Sequence, residues 1–78
     1  MVLAHILINT KPGKEEEVFR EIKGSDIDVK EMDLVYGEYD IVLKVKVDNI
    51  EDLRKVVVDK IRKMDGVERT TTLISAEL

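Results

Sequence analysis

The heptapeptide Ile41-Val42-Leu43-Lys44-Val45-Lys46-Val47 puts Ile41, Leu43, Val45 and Val47 on one side and Val42, Lys44 and Lys46 on the other. Side chains alternate across a β-strand, so this period of two predicts a strand with one face against a core and one left open. Toward the N-terminus, only Gly37-Glu38-Tyr39 and Asp40 separate it from a second alternating run. That run covers about Asp28 to Tyr36, with Lys30, Met32, Leu34 and Tyr36 sharing a face. Two such runs across a short glycine-containing connection predict an antiparallel hairpin. Toward the C-terminus, Asp48 and Asn49 are both good helix N-caps, with Glu51 or Asp52 three residues on and Ile50, Leu53, Val57, Ile61 and Met64 behind them. This pattern predicts a helix over about 49–64, stopped by Asp65-Gly66.

The flanks repeat the alternation of strand and helix. Val2 to Thr10 is rich in β-favouring aliphatics and runs into Lys11-Pro12-Gly13, a turn signal. From about Pro12 to Lys23, Val18, Phe19 and Ile22 stand at helical spacing. Glu15-Glu16-Glu17 complement the helix dipole, and Gly24 ends the element. Val67 to about Ala76, with Thr70-Thr71-Thr72-Leu73-Ile74, reads as a fourth strand. The order βαββαβ with right-handed crossovers gives an α+β, ferredoxin-like arrangement: an antiparallel four-stranded sheet with both helices on one face. Val2, Ala4, Ile6 and Ile8 join Ile41, Leu43, Val45 and Val47 under the helices. The opposite face carries Leu3, His5, Leu7, Val29, Val35 and Val42 among Glu31, Asp33, Lys44 and Lys46. Such a face is too apolar to stay wet and too charged for an interior, which predicts sheet-on-sheet packing in a homodimer.

The composition narrows what such a chain does. Its 78 residues make one domain over 1–78, and a core of that size yields only a few kcal/mol without a disulfide or metal, which again favours oligomerisation. There are 13 Lys plus Arg against 17 Asp plus Glu and a net charge of -4, which argues against direct DNA binding. Cysteines are absent, which removes disulfides, thiolate metal sites and cysteine nucleophiles. No apolar run approaches the roughly 18 residues of a membrane helix, and the N-terminus does not read as a signal peptide, so the expected location is cytoplasmic. Nine Glu and nine Lys beside zero Gln and two Asn point to a thermophilic source.

Little catalytic machinery is visible. The serines are Ser25 in a loop and Ser75 near the end, with a single histidine, His5, to serve either. A triad is therefore not expected, and His5 lacks a partner for metal binding; no cofactor is expected. His5 reads as a strand or interface residue, or else as a pH-sensitive contact or base. Tyr36-Gly37-Glu38-Tyr39-Asp40 holds both tyrosines, two carboxylates and a glycine that lets backbone N–H groups approach a ligand. Its plain reading is a hairpin turn. Against that, Asp40 opens an apolar strand with no obvious basic neighbour, so its charge must be solvated or meet a cation, such as an α-ammonium group. Arg69-Thr70-Thr71-Thr72 is either a run of β-formers or the lining of a small polar pocket.

The hairpin Tyr36-Gly37-Glu38-Tyr39-Asp40-Ile41-Val42, the Lys11-Pro12-Gly13 turn and the ending Gly66-Val67-Glu68-Arg69-Thr70-Thr71-Thr72 resemble the RAM, or effector-binding, domain of Lrp/AsnC transcription regulators. A Gly-x-x-Asp turn and a Thr-x-Thr ending recur in that family, here Gly37 to Asp40 and Thr70 to Thr72. The resemblance covers essentially the whole chain. Full-length members carry an N-terminal helix-turn-helix domain, whereas this chain starts at its first strand and so looks like a stand-alone RAM protein. The resemblance implies a dimer through the open sheet faces, assembled into an octamer or decamer, with a free amino-acid effector between dimers. Tyr36, Gly37, Glu38, Tyr39, Asp40, Thr70 and Thr72 would line that site. The expected function is non-catalytic effector sensing, exerted through association with full-length Lrp/AsnC-type regulators. The alternative is a small cofactor-free enzyme of the dimeric α+β barrel type, a monooxygenase or isomerase, with His5, Tyr36 or Tyr39 as acid or base. A structural interaction module is the third.

Overall fold

The computed structural model describes residues 1–76. Its elements are β1 (Val2–Thr10), α1 (Glu15–Lys23), β2 (Val29–Leu34), β3 (Ile41–Val47), α2 (Ile50–Arg54, continued by a π-helical stretch Lys55–Ile61) and β4 (Val67–Ile74). All strand pairs are antiparallel and the sheet order is β2-β3-β1-β4, the predicted ferredoxin-like topology. Ala4, Ile6 and Ile8 of β1 and Ile41, Leu43 and Val45 of β3 are buried against Val18 and Ile22 of α1 and Leu53, Val57 and Ile61 of the second helix. The other face, with Leu3, His5, Leu7, Val42 and Lys44, is only half-buried within the chain. No helix among the described residues is long and apolar enough to cross a membrane.

Several boundaries depart from expectation. Helix α1 begins at Glu15 rather than near Pro12, because Gly13 takes a φ of +81°, outside helical space, and the Lys14 N–H bonds back to the Lys11 carbonyl at 3.0 Å. The second helix is capped as predicted, the Asn49 side chain accepting from the Asp52 N–H, but it widens after Arg54 and ends at Ile61 rather than 64. Its buried residues Leu53, Val57 and Ile61 lie four apart, and on a regular helix each would drift about 40° from the last. A π-helical stretch cancels that drift and keeps all three inward. Strand β2 runs from Val29 to Leu34, shorter than the expected 28–36, and carries a bulge at Lys30. Val29 therefore pairs with Val45, and both it and Met32 pack against the core. The prediction that Val29 lies on the open face was wrong, since one inserted residue flips the alternation. Strand β4 ends at Ile74 rather than Ala76 and has its own irregularity beside Asn9 and Thr10.

One close approach ties both crossovers together. The Gly66 carbonyl accepts from the Lys11 N–H at 2.8 Å, and a Cβ on Gly66 would lie 2.6 Å from Val18 Cγ2 and 2.9 Å from Lys14 Cβ. Gly66→Ala is expected to cost about 1–3 kcal/mol by overpacking, read as a lower urea midpoint at unchanged slope.

Candidate functional site

The β2–β3 connection lies over the C-terminal end of β1. Val35 donates its N–H to the Asp40 carbonyl and Asp40 donates its own to the Ile8 carbonyl, both at 2.9 Å, so residues 36–39 form a projecting loop. Gly37 has a φ of +138°, which L-residues rarely adopt, and a Cβ there would meet nothing within 4 Å. The glycine is thus required by backbone conformation rather than crowding. Gly37, Glu38 and Tyr39 donate their backbone N–H groups to no acceptor among the described residues.

Two side contacts from β1 hold this loop. The Asn9 Nδ2 donates to the Glu38 carbonyl at 2.7 Å. Asp40 Oδ2 accepts from the Thr10 N–H at 2.8 Å and from the Thr10 hydroxyl at 3.2 Å. The expectation that Asp40 must meet a cation or water is therefore corrected in part: one carboxylate oxygen is satisfied by Thr10. The other takes no hydrogen bond among the described residues. Asp40 lines a cleft of about 390 Å³ with Glu15 and Glu16 at the start of α1 and Leu34, Val35 and Tyr36. Tyr36 is fully exposed. Tyr39 is half-buried.

Thr70 and Thr72 pair with Ile8 and Ile6, so both side chains occupy the helix-facing side of the edge strand β4. Thr71 pairs with Leu7 on the open face. Ile8 pairs with Ile41 on one side and Thr70 on the other, which puts the start of β4 and the loop at the same end of the sheet, about two strand spacings or ~10 Å apart. Within one subunit they line different hollows: Tyr36 and Asp40 border the cleft beside α1, whereas Thr72 borders an apolar hollow with Ile50, Leu53, Arg54, Val57 and Val58. Among the described residues no cluster of three His, Asp or Glu is placed to hold a metal ion. The carboxyl held below its ordinary range by a neighbour is Asp26, hydrogen-bonded to Lys60 Nζ at 2.8 Å in the loop after α1, outside this site. Sequence reasoning missed Asn9, Thr10, Glu15 and Glu16, none of which is near the loop in the chain.

A ferredoxin-like sheet that ends in a glycine loop of unpaired N–H donors beside a carboxylate has the build of a small-molecule-binding domain. The Lrp/AsnC ligand binding domain family matches residues 3–77, and the chain belongs to this family. The HTH-type transcriptional regulator FL11 of Pyrococcus furiosus is 37% identical over 76 residues, covering 94% of this chain and 47% of that protein. The crystal structure of FFRP-DM1 aligns with a TM-score of 0.90 and 43% identity over 97% of this chain and 100% of that one. AsnC of E. coli gives a TM-score of 0.90 at 28% identity, over 99% of this chain and 52% of that one. A regulator of Neisseria meningitidis solved as a complex with L-Met is 17% identical and shares the fold, with a TM-score of 0.86 over 97% of this chain and 50% of that one. The chain spans less than half the length of the curated relatives it matches.

Proposed function

We propose that the protein is a non-catalytic, oligomeric amino-acid sensor. The observation that carries this reading is the loop at residues 37–40, where three unpaired backbone N–H groups stand beside a carboxylate with one oxygen unengaged. A free amino acid is a zwitterion, so its carboxylate seeks N–H donors and its ammonium seeks a carboxylate. Asp40 meets the ammonium and the N–H groups of Gly37, Glu38 and Tyr39 meet the carboxylate, with Tyr36 as an apolar wall. Thr70 and Thr72 stand apart from that loop in one subunit, so their hydroxyls join the site from a neighbouring one. That arrangement fits pockets formed where dimers meet, in an octamer or decamer built on dimers that pack their open sheet faces. The L-Met complex of the Neisseria regulator, which has this fold, supports the ligand class. Through the same open face the subunit associates with full-length Lrp/AsnC-type regulators and so acts on transcription without touching DNA itself.

A thermal-shift screen of the twenty amino acids tests the reading. One or a few are expected to raise the melting temperature at millimolar concentration, by the mass-action term that any native-state ligand adds. Native mass spectrometry of the same samples should show the amino acid bound to the assembly and not to a lone subunit. No shift with any of the twenty would overturn the proposal.

A further inference from the structure

We propose that Asn9 is the positioning residue of the ligand loop, an inference that rests on reading that loop as the amino-acid receptor. Asn9 is half-buried near the end of β1, across from Arg69 of β4, with the strand irregularity immediately after it. Its Nδ2 reaches 29 residues along the chain to the Glu38 carbonyl at 2.7 Å. This is the lateral hydrogen bond that meets the projecting loop between its base at Val35 and Asp40 and its tip, and it fixes the plane of the peptide joining Glu38 to Tyr39. The Tyr39 N–H belongs to that same peptide, so the amide that holds the Glu38 carbonyl also aims one of the three free donors.

The same side chain is a poor stabiliser. Its Oδ1 is buried and has no hydrogen-bond partner among the described residues. A buried acceptor left unpaired costs about as much as a good hydrogen bond returns, and asparagine is a weak strand former. Leucine, with the same branching and number of heavy atoms, would remove the unpaired atom and suit the strand better. A residue that gains little for the fold while holding the loop fits a role in ligand recognition, where local rules give way to the needs of a site.

Asn9→Leu and Asn9→Asp separate the two roles. The measurements are the melting temperature without ligand, the dissociation constant of the amino acid found in the screen, and hydrogen exchange of the amides at 37–39. Asn9→Leu is expected to match or exceed the unmodified protein in melting temperature while binding roughly tenfold more weakly and exchanging faster at those amides. Asn9→Asp keeps an acceptor but points an oxygen at the Glu38 carbonyl, so its affinity should fall further. Binding by both variants within twofold of the unmodified protein would overturn the proposal. So would an Asn9→Leu protein that loses stability and affinity together with loop exchange unchanged. If the unmodified chain binds no amino acid, the sensor reading fails by itself; loop exchange then decides Asn9 alone, faster exchange in Asn9→Leu upholding its role and unchanged exchange ending it.

Discussion

Asp40→Ala is expected to unfold about 2 kcal/mol more easily than the unmodified chain and to show no thermal response to any amino acid, whereas Asp40→Asn keeps most of the stability and still fails to respond. The first effect follows from Thr10, which is 6% exposed and gives both its N–H and its hydroxyl to Asp40 Oδ2. Truncating the acceptor strands a buried backbone donor, a loss of about 1–3 kcal/mol. An asparagine oxygen can take the place of Oδ2 for both donors, so the loop stays seated. What it cannot replace is the charge. With an amide where the free oxygen stood, an incoming ammonium finds a neutral group and, in one orientation, a competing donor. Urea denaturation reads the first effect and the thermal shift reads the second. Stability unchanged in Asp40→Ala would show that Thr10 finds another acceptor, and full binding by Asp40→Asn would remove the carboxylate from the site.

This double duty of Asp40 was only half legible in the sequence. Its position ahead of an apolar strand marked it as a carboxylate needing a partner, but the partner, Thr10, lies 30 residues away and is set by the β1–β3 register. The period-2 alternation in β1 and β3 was strong enough to identify their inner faces, and both came out as predicted, because pairing central strands leaves little freedom of register. At the sheet edge the same logic failed. A bulge at Lys30 turned Val29 inward, and nothing in Val29-Lys30-Glu31 distinguishes a bulged strand from a straight one. The wide turn over Lys55–Ile61 was not legible, because the four-residue spacing of Leu53, Val57 and Ile61 equally fits the apolar stripe of an ordinary α-helix. Glu15 and Glu16 entered the sequence reading as dipole partners of α1. Only the packing of that helix end beside β2 shows them as a wall of the cleft.

Leu7→Lys is expected to turn the assembly into a folded monomer. Leu7 sits midway across the open face, between Val42 on β3 and Thr71 on β4, with His5 and Leu3 further along the same strand. In the single chain Leu7 is half-buried, so a lysine there can extend its ammonium into water and the fold should survive. In a two-fold dimer packed face to face, each copy would instead bury that ammonium on a face that also carries Lys44, opposite His5 and in a weak 3.9 Å pairing with Glu31. Removing an unpaired charge from water costs several kcal/mol per ion, and the symmetry doubles it. The dimer dissociation constant should therefore rise roughly a thousandfold or more. Sedimentation at micromolar concentration measures the association, and circular dichroism confirms that the sheet remains. A matched charge on the helical side, such as Val58→Lys, where the residue is 39% exposed, should leave the dimer intact. On the proposed site shared between subunits, the amino-acid response should vanish with the assembly in Leu7→Lys. If Leu7→Lys still sediments as the oligomer, the interface lies elsewhere than the open sheet face. If it dissociates yet still binds an amino acid at full affinity, one subunit holds a complete site and the threonines have no part in it.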